Sequence, residues 1–260
     1  MPLTILLHSS KTMVSTPAKY ELTTPVFKDV ADQLTDYLQE LTVEQLQQVM
    51  HISQKLATEV EDMYLSRLDE SVSATVESFR GDIYSGLRAS EWTAPQKAFA
   101  QKHLKILSGL YGILRPYDGI QPYRLELGYR LPNEPYSDLY RFWSDRIAEQ
   151  LPSDGPIINV TSDEYAKAVL PFIDGSRVIT PVFLTIKEGK SEPVFVAVHS
   201  KIARGAYARW LIQRGDPTVD GLQHFNDLSY VYDSERSTPS RPTYVCQIFG
   251  GTGLSQRLAS

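Results

Sequence analysis

A chain of 260 residues, 42% hydrophobic and 10% aromatic, is long enough to bury a sizeable core, which excludes disorder as its default state. A net charge of -5 excludes a uniformly basic nucleic-acid coat and leaves room for a local basic face. A single cysteine, Cys246, excludes an internal disulfide framework and an all-cysteine metal site, and fits a reducing compartment.

The first apolar run, residues 3–7, is too short for a signal-peptide core or a membrane span, so a soluble, cytoplasmic chain without a membrane partner is expected. The run reads as a buried strand that empties into the polar loop His8-Ser9-Ser10-Lys11-Thr12, a common place for chemistry. Residues 27–70 carry apolar positions at helical spacing (Val30, Leu34, Tyr37 and Leu38, then Leu56, Val60, Met63 and Tyr64), with a Thr42/Gln45 capping box between helices. Residues 79–87 set Asp82, Tyr84 and Ser85 around two glycines, as either a site or a tight turn would. A second capping box, Thr93/Gln96 with Pro95 in the first turn, predicts a helix over 94–105. Ser137 is expected to cap a helix whose Leu139, Phe142, Trp143 and Ile147 face inward.

Residues 157–160 read as a strand, and Thr161 with Glu164 predicts a short helix to about residue 170. Runs 178–186 and 194–199, joined around Glu188-Gly189-Lys190, predict a β-hairpin. A basic helix over 201–214 and strands near Tyr230 and over 243–249 follow. The pattern predicts an α/β fold, with α+β as the alternative. It is expected to form one compact domain over 1–260, a mixed β-sheet with a helical N-terminal half.

Chemistry concentrates in residues 107–128, LSGLYGILRPYDGIQPYRLELG, where glycines relax the backbone and Pro116 and Pro122 fix it around Arg115, Asp118, Arg124 and Glu126. The turn over 107–112, with Ser108, Gly109 and Gly112, resembles the hairpin of a helix-hairpin-helix element that offers backbone N–H groups to a DNA phosphate; a plain turn is the alternative. Lys11 and Thr12 suit a phosphate, although the glycines of a P-loop are absent. Arg115, Arg124, Arg130, Lys201, Arg204 and Arg209, with Tyr111, Tyr117 and Tyr123 interleaved, can line a positive groove or hold a nucleotide. Asp163, Glu164 and Lys167 follow a strand end, where ligands often bind, though helix-dipole compensation explains both acids. The five histidines lack metal-ligand spacing, so neither metal nor cofactor is expected, and Cys246 reads as core.

Two functions fit these residues. In one, Lys11, Thr12, Ser108, Gly109, Gly112, Arg115, Arg124, Lys201 and Arg204 bind duplex or junction DNA by its phosphates. In the other, a polar pocket takes a small nucleotide-like ligand, with Lys11, Asp82 and Glu126 as catalytic candidates beside Tyr84, Arg124 and Asp163. A third reading has the loop only bracing the fold, its arginines paired to Asp118 and Glu126.

The phrases HSSKT at residues 8–12, MHISQKLA at 50–57, residues 79–87 and 107–128, LYRFW at 139–143, SDEY at 162–165 and KIARG at 201–205 together resemble the YaaA peroxide-stress proteins, in order and spacing, over nearly the whole chain. One departure is HSSKT where that family usually reads SPAKT: Lys11 and Thr12 remain, but two serines replace Pro-Ala. The resemblance implies a cytosolic protein that limits hydrogen peroxide damage, with free iron kept low and DNA protected. It further implies an α/β fold with a helix-hairpin-helix-like element and a positive cleft for duplex or branched DNA. The matching positions are Lys11, Lys55, Asp82, Tyr84, residues 108–112, Arg115, Pro122, Arg124, Glu126, Lys201 and Arg204.

Overall fold

The first apolar run forms β1 (Thr4–His8), as its unbroken burial requires, and the short β2 (Thr12–Met13) follows it. The structure is a computed structural model and describes residues 3–67 and 71–251. The helical stretch resolves into α1 (Lys28–Gln39), α2 (Val43–Met50) and α3 (Gln54–Leu65). The expected capping box is made: Gln45 N–H donates to Thr42 Oγ1 at 3.3 Å and Thr42 N–H to Gln45 Oε1 at 2.9 Å. Next come β3 (Ser73–Ala74), α4 (Thr75–Ser78), β4 (Phe79–Arg80) and α5 (Asp82–Leu87), then α6 (Ala94–His103). α6 stops short of residue 105 because Leu104, Ile106 and Leu107 are needed in the core as β5 (Leu104–Ser108).

The remaining elements are β6 (Gly112–Leu114), β7 (Gly119–Ile120), α7 (Leu139–Trp143), β8 (Ile157–Asn159), α8 (Asp163–Ala166), β9 (Val178–Ile179), β10 (Val182–Ile186), β11 (Pro193–Val194), α9 (Ala197–Arg214), β12 (Val231–Tyr232) and β13 (Thr243–Cys246). A five-stranded sheet runs in the order β6-β5-β1-β8-β9, parallel except for the edge strand β6. A second, four-stranded sheet runs β11-β10-β13-β12, with only its central pair parallel. The α/β class is therefore as expected, built on two principal sheets instead of one. The split falls at Pro181, which lacks an N–H for the ladder: Val178–Ile179 joins the first sheet and Val182–Ile186 the second.

Three local expectations are corrected. The hairpin over 178–199 shrinks to two residue pairs between β10 and β11, and the chain turns into α9 from residue 197. Asp138, not Ser137, caps α7, accepting from the N–H groups of Tyr140 and Arg141, while the Ser137 hydroxyl donates to Glu134. The turn expected to be helix-hairpin-helix-like is a β-hairpin between β5 and β6, with Ser108 opposite Gly112. Its turn is sealed inside: a Cβ at Gly109 would lie 2.3 Å from the Leu125 carbonyl oxygen, and one at Gly112, whose φ is +66°, would lie 2.8 Å from the Trp143 ring. The Trp143 indole N–H donates to the Gly109 carbonyl at 2.9 Å.

The longest helix, α9, packs backbone to backbone on α5. A Cβ at Gly205 would approach the Ile83 carbonyl oxygen to 1.8 Å, and one at Gly86 the Ile202 oxygen to 2.1 Å. The stretch of α9 that carries Lys201 and Arg204 is thereby held against α5, and α5 is tied to β1 by the Tyr84 hydroxyl, which donates to the His8 carbonyl at 2.9 Å.

Candidate functional site

In a parallel sheet the carboxyl ends of adjacent strands deliver their following residues to one edge, where α/β proteins bind ligands. Here β5, β1 and β8 are neighbours, and Ser108, Ser9 and residues 161–162 meet at that edge. Ser9 and Tyr165 bond through their hydroxyls at 2.9 Å, and Ser108 and Tyr123 at 2.7 Å. Burial holds Tyr84, Tyr123 and Tyr165 far above the ordinary phenol range, so each remains a neutral hydroxyl.

Glu126 lies against this layer and is only 8% exposed. Its pKa is pushed up to about 7, chiefly by burial and further by Glu164, against the pull of Lys11, Tyr165 and Arg124. Glu164 is fixed in place by the Gly128 N–H, which donates to its carboxylate at 2.9 Å. Arg124 is positioned by a single phenol: the Tyr64 hydroxyl donates to its carbonyl at 2.8 Å and accepts from its N–H at 3.2 Å. Two buried donors in the cluster, Arg124 Nε and the Tyr129 hydroxyl, close no hydrogen bond of normal geometry among the described residues, although the Arg124 guanidinium lies near enough to Tyr129 to favour its ionised form. Lys11 Nζ sits 5.9 Å from the Tyr129 ring centre.

His8 closes the other side. Its Nδ1 accepts from the Ser162 N–H at 3.2 Å, and its ring stacks on Tyr165 at 5.1 Å. Burial first, then Arg204 and Lys201, push its pKa down to about 3, so the imidazole is neutral. Burial lowers the Arg204 guanidinium pKa, and Asp163, at the start of α8, opposes that shift.

The sequence-derived candidates separate into groups. Lys11, Arg124 and Glu126 come together, and Lys201 and Arg204 adjoin them through His8. Ser108 is the buried floor of the site, and Gly109 and Gly112 lie beneath Leu125 and Trp143, where no duplex backbone reaches them. Thr12 is exposed and pairs with Arg80 across β2 and β4. Asp82 opens α5, two residues before Tyr84. Arg115 lies elsewhere, because β6 runs antiparallel to β5 and carries it back toward the start of that strand. There Arg115 is ion-paired with buried Asp118 at 2.9 Å and donates to the Thr24 carbonyl, so the bracing reading describes this arginine. Arg130 pairs with Asp138 and Arg209 with Asp227. Cys246 is buried, its thiol 3.4 Å from the Thr185 hydroxyl.

The sequence reading passed over His8 and Ser9 as individual participants, and over Tyr165 and Tyr129. The available signal was position: His8 and Ser9 end the central strand, and Tyr165 follows the next parallel one. The departure HSSKT falls on this spot, and Ser9 uses its hydroxyl to bind Tyr165.

The chain matches the family model for peroxide stress protein YaaA over residues 3–236. It is 46% identical over 256 residues to a UPF0246 protein of Salinispora tropica, covering 97% of each chain. It is 38% identical over 234 residues to a UPF0246 protein of Roseobacter denitrificans, covering 86% of this chain and 90% of that one. Among the described residues, no helix is long and apolar enough to cross a membrane.

Proposed function

The chain belongs to the YaaA peroxide stress protein family, and from that premise we propose that it binds a small polar, nucleotide-like ligand at the carboxyl edge of β5, β1 and β8, with Glu126 exchanging a proton with it. The observation that carries this reading is the Glu126 carboxyl, buried among Lys11, Arg124 and Tyr165 and poised to change protonation near neutral pH. A surface that only neutralises phosphates has no use for a carboxyl in this state. Arg124 and Tyr129 lie beside each other next to this carboxyl and add a guanidinium and a phenol to the polar lining. Calorimetric titration with nucleosides and nucleoside monophosphates tests it. Binding should weaken at least tenfold in Arg124→Ala and should lose its pH dependence in Glu126→Gln; no heat with any of them would reject the reading.

A second reading is favoured by one observation, the gathering of Lys11, Arg124, Lys201 and Arg204 along the same edge. Here the cations neutralise DNA phosphates and shield the duplex or junction from iron-dependent oxidation. Binding would fall steeply with salt, and each lost contact would reduce the salt slope by about one unit. A slope unchanged in Arg204→Gln would count against it.

A further inference from the structure

We propose that Lys201 and Arg204, together with the Nε2–H of His8, form an anion-binding end to the Glu126 site that seats a phosphate or carboxylate group of the same ligand. The inference rests on the small-ligand reading above and gives that ligand its charge.

The tautomer of His8 is set by its neighbour. Because Nδ1 accepts the Ser162 N–H, the ring proton of the neutral imidazole resides on Nε2, which is then a donor. Two cations lie close enough to His8 to act on it electrostatically, Arg204 more strongly than Lys201. The helix that carries them is held in place by the backbone contact of α9 with α5 and the bond from Tyr84 to the His8 carbonyl. An imidazole N–H, a guanidinium and an ammonium are the donor set that phosphate and carboxylate oxygens require.

Several of the protein's cations are already committed to carboxylates, whereas, among the described residues, Lys201 and Arg204, like Lys11 and Arg124, are not. Arg67, Arg115, Arg209, Arg214 and Arg236 each close an ion pair with a carboxylate. Among the described residues, neither Lys201 nor Arg204 does so. Asp163 acts on Arg204 without closing a pair, so a partly buried guanidinium is left with its hydrogen-bonding fork open beside a neutral ring. An anion from solution can approach this arrangement, because Arg204 is only partly buried and Lys201 is exposed.

The test uses inorganic phosphate, acetate and a nucleoside with its monophosphate as probes, followed by calorimetry and by long-range 1H–15N spectra of His8. Phosphate should perturb His8 Nε2, and the monophosphate should bind at least tenfold more tightly than its nucleoside. That advantage should vanish in Arg204→Gln and shrink in Lys201→Gln, with Arg115→Gln unchanged. Acetate in place of phosphate as the stronger probe would assign a carboxylate ligand. If Arg204→Gln fails to fold, Arg204→Lys keeps the charge, removes the fork and should still lose most of the advantage. A nucleoside that binds in a Glu126-dependent way with no gain from its phosphate would overturn the anion end and leave the small-ligand reading standing. Phosphate binding that depends on Arg204 without any nucleoside binding would do the reverse. Phosphate binding equally to wild type and Arg204→Gln would be an adventitious ion only and would overturn the proposal.

Discussion

The hydroxyls of Ser9 and Tyr165 lie 2.9 Å apart and join the end of β1 to α8. Tyr165 also stabilises the ionised form of Glu126, so one phenol links the sheet edge to the site's acid. Replacing Tyr165 by Phe removes that support and should raise the Glu126 pKa above about 7. Ser9→Ala should cost about 1 kcal/mol of stability, as expected for one buried hydrogen bond. Carboxyl 13C titration and urea unfolding read these two effects.

Glu126 and His8 should impose opposite pH dependences on stability. Glu126 keeps its proton to about pH 7 when folded, against an ordinary value of 4.5, so stability is lost as pH rises through that interval, by about 3 kcal/mol in all. His8 has an ordinary value of 6.5 and a folded value of about 3, so its contribution is lost as pH falls through that range. From 4.5 to 6.5 the two slopes oppose each other. Relative to wild type, Glu126→Gln should therefore gain a stability that rises with pH across this window, at up to about 1.4 kcal/mol per pH unit, and His8→Asn one that falls. Urea midpoints at the two ends of the window measure both, and parallel curves for all three proteins would contradict the burial of these groups.

The α5–α9 contact leaves no room for a methyl group. Gly205→Ala would place a Cβ 1.8 Å from the Ile83 carbonyl oxygen and should destabilise by about 3 kcal/mol or more. Gly175→Ala, with no atom within 4 Å of its Cβ position, should stay within about 0.5 kcal/mol of wild type. Thermal unfolding of the pair separates them.

Arg115 tests the division between bracing and binding. Arg115→Ala strips the 1%-exposed Asp118 of its ion pair and should cost about 1–2 kcal/mol, discounted because the arginine itself is partly exposed. Binding of nucleotides or DNA should be unaffected, and a tenfold weaker affinity would return Arg115 to the site.

Where local spacing decides the structure, the sequence was legible. Residues 3–7 carry a single polar side chain, Thr4, and became a central strand, and Thr42 and Gln45 found each other within one helical turn. Failures arose where a tertiary contact decided. The glycines of residues 107–112 resembled a DNA-facing turn but serve the close approach of Leu125 and Trp143. Arg115 and Arg124 look alike in sequence, yet β6 reverses direction and leaves them in different neighbourhoods. Glu126 was visible as a polar residue in an irregular loop, but its altered acidity comes from burial beside Glu164, which is distant in the chain.

The measurement closest to the central claim is the titration of Glu126, followed through its carboxyl 13C resonance with Glu126→Gln used for assignment. A midpoint near 7 is expected, moving higher in Lys11→Met because a stabilising cation is lost. A midpoint near 4.5, unmoved by Lys11→Met, would mean that the carboxyl is solvated and remote from that lysine, and would contradict the site as a proton-exchanging ligand site.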